Sequence, residues 1–227
     1  MNTFIIGDIH GCFHTLEKML THWEPRDQKL VFVGDYIDRG NYSGKVLKLL
    51  WELQKSHPET VLLKGNHEYI YKFHYSNHQR NQITSGAVFN WPQYCSHCFS
   101  ELQSFKIENI SVEEVIVFID SLSLVYDTSG FMVSHAGIHS TNIDPYDEDN
   151  YDYGVLWTRK ELENLGKPQI IGHTPHELQT PLINTISNSY NIDSGCCYGR
   201  GLTGIVMNDN GELLETFFEK ADLRDIN

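Results

Sequence analysis

Five times in this 227-residue chain a short apolar run stops at a residue able to ligate a metal. "FIIGDIHG" ends at Asp8 and His10, "VFVGDYIDRG" at Asp35, "VLLKGNHE" at Asn66 and His67, "FMVSHAG" at His135 and "QIIGHTP" at His173. Gly and Asp are ordinary turn formers, so any one of these segments passes for a strand running into a turn. Five together mean more. In open α/β sheets ligands bind at the carboxyl ends of the strands, so the pattern directs all of these side chains into one crevice.

The rest of the first half supports such a sheet. β-rich runs at 3–6, 30–33 and 60–63 alternate with helical patterns at 14–22 and 44–56, the βαβαβ rhythm of parallel strands buried on both faces. Residues 66–105 read as mostly helical, with interruptions at Gly86 and Pro92, and the aromatics of "HEYIYKFHY" (67–75) as one packed helix face. The segment 111–122 predicts an amphipathic helix with Ser111 as its N-cap. The second half changes to short strands, "LSLVYDT", "FMVSH", "QIIGH", "LINTIS", "LTGIVM" and "ELLETFF", which predict a second, mixed sheet packed on the first. The acidic stretch 142–154 reads as a solvated loop. No linker or repeat divides the chain, so one domain over 1–227 is expected.

Charge narrows the partners. Seventeen Lys and Arg against 30 Asp and Glu give a net charge of −13, which repels nucleic acid and obliges an anionic substrate to find its positive charge elsewhere, for instance on metal ions. No apolar stretch approaches the roughly 20 residues needed to span a bilayer, and a cytoplasmic protein without a membrane partner is expected. Five cysteines do not make a secreted disulfide framework. "CSHC", with Cys95 and Cys98, has no second CxxC to complete a zinc site, and Cys196 and Cys197 sit in a glycine-rich loop where packing competes with sensitivity to oxidation. The oligomeric state is left open.

Imidazole nitrogen mixed with carboxylate oxygen suits manganese, iron or zinc, whereas all-oxygen sites suit magnesium or calcium. A carboxylate can bridge two ions, and Asp35, at the end of the central strand, is placed to do so. Two divalent ions less two aspartates leave a surplus charge that matches a phosphate dianion.

GDIHG, GDYIDRG, GNHE, HAG and GHTP, in this order, resemble the phosphoprotein phosphatases of the calcineurin-like metallophosphoesterase superfamily over about residues 4–208. HAG and the tail "NIDSGCCYGRGLTGIVM" look like the small bacterial and phage serine/threonine phosphatases. The resemblance implies an α/β sandwich of two mixed β-sheets flanked by helices, with two divalent ions, manganese first and iron or zinc as alternatives. It implies one metal on Asp8, His10 and Asp35 and the other on Asp35, Asn66, His135 and His173. It further implies His67 as general acid, Asp38 orienting it, and Arg39 and Arg159 gripping the phosphate together with Asn66. One departure is Asn41, where many bacterial relatives have proline.

The function expected from this is hydrolysis of phosphoserine and phosphothreonine in proteins by an activated water attacking in line, with no phosphoenzyme. The alternative is a small phosphoester, foremost a dinucleoside polyphosphate such as diadenosine tetraphosphate cleaved symmetrically. Symmetrical tetraphosphatases usually lack the aspartate at position 38, which ranks them second.

Overall fold

The computed structural model describes residues 1–85 and 96–226. Five strands, β1 (Asn2–Ile6), β2 (Gln28–Phe32), β3 (Val61–Leu62), β9 (Gly201–Met207) and β10 (Leu213–Lys220), form a first sheet in the order β10-β9-β1-β2-β3. β1, β2 and β3 run parallel, and β9 and β10 complete the sheet antiparallel. The second sheet, β4 (Val125–Asp127), β5 (Met132–Ser134), β6 (Gln169–Ile171), β7 (Leu182–Asn184) and β8 (Ser189–Asn191), has the order β4-β5-β6-β8-β7, with β5, β6 and β8 parallel.

The period of two along each strand divides the core. Phe4, Ile6, Leu30 and Phe32 point toward the helices, α1 (Phe13–Leu20), α2 (Ser43–Ser56), α3 (Asn66–Ser85), α4 (Ser96–Ile107) and α5 (Val112–Ser121). Their neighbours Ile5, Val31 and Val33 point the other way and meet Val133, Ile170 and Ile192 of the second sheet and its flanks. Each fully buried side chain of this size removes about 1.5–3 kcal/mol of apolar hydration, so both faces of the first sheet contribute to stability. Among the described residues, Met132, Ile138 and Val155 form a separate, small cluster at the second sheet.

The helices lie where the periodicity puts them. Ser111 caps α5 with a full capping box: its hydroxyl accepts from the Glu114 N–H at 3.2 Å and the Glu114 carboxylate accepts from the Ser111 N–H at 2.8 Å. Two strands differ from expectation. "LTGIVM" and "ELLETFF" join the first sheet, because β9 pairs with β1 from Thr3↔Met207 to Ile6↔Gly204. β8 is a further strand that its polar sequence, Ser-Tyr-Asn, conceals. The aromatics of α3 split between two faces. Tyr71 is buried in the helix-side core, whereas Phe73 is exposed and Tyr69 only partly covered. Gly86, Pro92 and Cys95 lie outside the described residues. Among those described, no helix is long and apolar enough to cross a membrane.

The C-terminal segment secures the first motif loop. α1 has no cap of its own, since Cys12 offers no side-chain bond, and Asp225 supplies one from more than 200 residues away. Its buried carboxylate accepts from the His14 and Thr15 N–H groups at 3.0 and 2.9 Å and from the Thr15 hydroxyl at 2.7 Å. Asn41 explains its departure from proline here: its N–H donates to the Asp225 carbonyl at 2.9 Å and its side-chain amide to the Arg224 carbonyl at 3.0 Å. Proline at 41 lacks both donors. Asp225→Ala is expected to lower unfolding stability by about 2 kcal/mol and Asn41→Pro by about 1 kcal/mol in urea titrations. An unchanged midpoint in both variants contradicts this role of the C-terminus.

Candidate active site

The parallel strands of both sheets deliver their carboxyl ends to one place. Asp8 and His10 follow β1, Asp35 follows β2, Asn66 and His67 follow β3, His135 follows β5 and His173 follows β6. All of the ligand candidates read from the sequence meet there, and Asp8, His10, Asp35, Asn66, His135 and His173 are buried. Ligand atoms of His10, Asp35 and His67, and of Asp8, Asp35 and His135, lie within 4.8 Å of one another. Asp35 belongs to both groups. Its Oδ2 is 3.3 Å from His10 Nε2, 3.4 Å from His135 Nε2 and 4.0 Å from His67 Nε2.

Backbone carbonyls fix the imidazole tautomers, and that decides what the centre can hold. His10 donates from Nδ1 to the Ile37 carbonyl at 2.9 Å, His135 from Nδ1 to the Val33 carbonyl at 3.2 Å, and His173 from Nε2 to the Trp157 carbonyl at 3.0 Å. Each therefore turns a lone pair inward, the arrangement of a histidine whose remote N–H is held while the near nitrogen ligates. His135 Nε2 and His173 Nδ1 each approach Asn66 Oδ1 to 2.9 Å and each other to 3.2 Å. Three acceptors face one another with no proton between them. In addition, Asp8 Oδ1 is buried without a hydrogen-bond partner. Cations satisfy all of these atoms at once, so the residues fit a divalent metal centre.

Electrostatics follow the same geometry. Burial, with Asp193 and Asp35 nearby, pushes the Asp8 carboxyl well above the usual range. Burial acts on Asp35 in the same direction but is outweighed by His135, His67 and His10, which hold it well below the usual range. Burial lowers His10 to about 4 against the pull of Asp35, and lowers His173 to about 3 with His135 adding to the effect. Both imidazoles are neutral at neutral pH and have lone pairs to give.

At the rim, Asp38 Oδ2 accepts from His67 Nδ1 at 2.6 Å, and Arg39 Nη2 donates to His67 Nε2 at 3.2 Å. Burial would lower the His67 pKa, but Asp35 and Asp38 more than offset it and raise it. Arg39 and Arg159 are exposed, and Arg159 is close enough to depress His173. Cys196 is buried in the helix-side core with Cys12, consistent with packing, while Cys197 is partly exposed.

The loops are held in unusual conformations. His10, Asp35, Asp38, Arg39 and His173 all have positive φ, between 46° and 75°. Such residues carry local strain and persist only where the surroundings over-determine them. Here the motif glycines make the room: a Cβ on Gly65 would lie 2.1 Å from Asp35 Oδ1, and one on Gly172 would lie 1.8 Å from Asp8 Oδ1. Glycine precedes these ligands because a neighbouring carboxylate occupies the space of its missing side chain.

Two acidic residues at the site were not singled out in the sequence. Glu68, fully buried, accepts from the N–H groups of Asp35, Tyr36, Ile37 and Gly65 at 2.8–3.3 Å and so shapes the turn carrying Asp35. Burial and Asp35 raise it to about 7, against those hydrogen bonds. Asp193 follows β8 and is raised to about 6, mainly by burial. It repeats the strand-then-acid pattern of the other motifs, and only the polar character of β8 hid the signal.

Comparison with known proteins agrees with this geometry. A family model described as calcineurin-like phosphoesterase matches residues 1–212. The chain belongs to that family. Among curated relatives, a Bacillus cereus (strain B4264) protein named bis(5'-nucleosyl)-tetraphosphatase PrpE [asymmetrical] is 31% identical over 88% of each chain. A protein of the same name from Oceanobacillus iheyensis is 30% identical over 89% of this chain and 87% of its own. Among solved structures, a cold-active protein-tyrosine phosphatase of a psychrophilic Shewanella superposes with a TM-score of 0.65 at 17% identity, covering 95% of this chain and 80% of the other. A serine/threonine phosphatase from Saccharomyces cerevisiae gives 0.63 at 17% identity, covering 98% and 80%. These two likenesses show the shared fold. The family uses divalent metals, and the lone-pair geometry here fits them.

Glu68→Gln replaces an acceptor by an amide donor facing the same N–H groups. It is expected to lower stability by about 1–3 kcal/mol and to weaken divalent-metal binding in calorimetric titration. Wild-type metal affinity in this variant contradicts a shaping role for Glu68.

Proposed function

We propose that this metallophosphoesterase is a hydrolase of bis(5'-nucleosyl)-tetraphosphates. The observation that carries the reading is identity of 30–31% over nearly nine-tenths of each chain to relatives named for that activity. This reverses the ranking drawn from the motifs, which placed protein phosphatase first. The argument from Asp38 weighed only against symmetrical tetraphosphatases, whereas the relatives are named asymmetrical, so it does not bear on them. Residues 1–227 are taken to act as one domain.

The contacts support the following roles. Asp8, His10 and Asp35 would hold one divalent ion, and Asp35, Asn66, His135 and His173 the other. Bound metal ions supply Lewis-acid charge for the phosphate and an activated water as nucleophile. Arg39 and Arg159 reach the same rim and offer planar donor forks to phosphate oxygens. Arriving phosphate would take the Arg39 guanidinium from His67 Nε2, and that nitrogen, protonated from solvent before attack, would give its proton to the leaving oxygen. Asp38 holds Nδ1–H and stabilises the protonated ring.

The Asp38–His67 contact of 2.6 Å supports a second reading. A firmly oriented acid matters most for a poor leaving group such as a serine alkoxide, and less for a nucleotide phosphate that departs as a stable anion. Phosphoprotein hydrolysis is therefore kept as the alternative substrate class for the same machinery.

The deciding experiment offers diadenosine tetraphosphate and a phosphoserine peptide to manganese-loaded protein. Release of AMP and ATP in equal amounts, faster than phosphate from the peptide, is the expected result. Two ADP would indicate symmetrical cleavage, and preference for the peptide would overturn the substrate assignment. His67→Asn is expected to lose roughly 10²- to 10⁴-fold on the peptide, less on the tetraphosphate, and to retain its metals. The Asp38→Asn/His67→Asn double variant should be little worse than the poorer single one.

A further inference from the structure

We propose that the aromatic cluster of Tyr69, Tyr151 and Trp157 beside the metal centre is a stacking site for one nucleobase of the substrate. The ring centroids of Tyr151 and Trp157 are 4.4 Å apart, Tyr69 meets Trp157 edge-on at 5.5 Å and Tyr151 at 6.2 Å, and Phe73 stacks on Tyr69 at 6.1 Å. The cluster adjoins the site through the chain itself. Tyr69 stands one helical turn after Asn66, and the Trp157 carbonyl holds His173.

This is a built wall and not an incidental patch. Lys64, at the end of β3, pairs with Glu148 at 2.9 Å, and the Trp157 indole N–H donates to the Glu148 carbonyl at 2.8 Å. The Tyr69 hydroxyl donates to Asp149. The acidic loop is thus solvated, as the sequence suggests, and also pinned at the edge of the metal centre. With the Tyr69 and Trp157 polar tips bonded to this loop and their rings packed within the cluster, the ring surface offered to a ligand is that of Tyr151 and Phe73. Tyr151 is 54% exposed and Phe73 44%.

The chemistry of the surroundings selects a base over a second phosphate. Asp149 and Asp152 lie along this loop and repel anions, but they accept hydrogen bonds from ribose hydroxyls and exocyclic amines. An aromatic face bound to a neutral π-system needs no charge. Tyr198, an exposed aromatic beside Arg39, is already covered by cations, with the Arg39 guanidinium 5.1 Å and that of Arg200 5.9 Å from its centroid. The base site rests on the proposed dinucleoside polyphosphate for the identity of its ligand.

The test measures binding of AMP and of ribose 5-phosphate to the manganese-loaded protein by calorimetry. Ribose 5-phosphate carries an anomeric hydroxyl where AMP carries the base. AMP is expected to bind roughly 5- to 150-fold more tightly. Tyr151→Ala, which removes an exposed ring, should bring the ratio toward one without changing the ribose 5-phosphate affinity, and Tyr151→Phe should keep it. A ratio near one in the wild type, or one that Tyr151→Ala leaves unchanged, overturns the base site. Hydrolysis of diadenosine tetraphosphate is followed separately. Cleavage without an AMP preference overturns the base site and upholds the reaction, whereas an AMP preference lost in Tyr151→Ala without cleavage upholds the base site and overturns the reaction.

Discussion

The structure turns on a repulsion. His135 Nε2, His173 Nδ1 and Asn66 Oδ1 crowd within 2.9–3.2 Å of one another as acceptors, with the Asp35 carboxylate 3.4 Å from the first. In a buried setting such a cluster is unfavourable unless positive charge enters it. Backbone carbonyls of Ile37, Val33 and Trp157 close off the other escape, because they hold the histidine protons on the far nitrogens. The fold therefore has a cation-shaped need at the junction of its two sheets, and the phosphate chemistry of the family follows from how that need is met.

Keeping the cluster together requires a frame stiff enough to resist it. Positive φ at His10, Asp35, Asp38, Arg39 and His173 stores strain in the loops that bear the site, and the frame offsets it with buried contacts. Glu68 gathers the backbone of the Asp35 turn, the His10 N–H donates to the Asp35 carbonyl at 2.8 Å, and Gly65 and Gly172 admit the two carboxylates. Asp225 and Asn41 extend the frame to the C-terminus. In a chain of net charge −13, cations entering this lone-pair cluster, with the Arg39 guanidinium at its rim, offer an anionic phosphoester the positive charge that the rest of the protein does not.

The convergence of Asp8, His10, Asp35, Asn66, His135 and His173 was legible in the sequence because each follows an apolar strand, and a strand's carboxyl end is a fixed address in an α/β sheet. The parallel core β1-β2-β3 was legible for the same reason. Strand partnership was not: whether Gly201–Met207 joins the first or the second sheet depends on long-range pairing with β1, which leaves no local trace. β8 escaped because Ser-Tyr-Asn lacks the apolar signal, and Asp193 escaped with it. The aromatics of α3 read as one packed face, but their faces are assigned by what lies opposite, Phe105 for Tyr71 and the pinned acidic loop for Tyr69. Motifs resolve the chemistry of the reacting centre, while the substrate lies beyond them, on surfaces whose shape the motifs do not encode.

If lone-pair crowding governs the centre, metal-free protein should take up two divalent ions and be stabilised by them. Calorimetric titration of chelator-treated protein with manganese tests this directly, in parallel with its thermal midpoint. The account predicts two equivalents per chain and a higher midpoint when loaded, and Asp35→Asn, which alters the carboxylate shared by both ligand groups, should weaken both equivalents together. Fewer than two equivalents in the wild type, or two bound as tightly by Asp35→Asn, would contradict it.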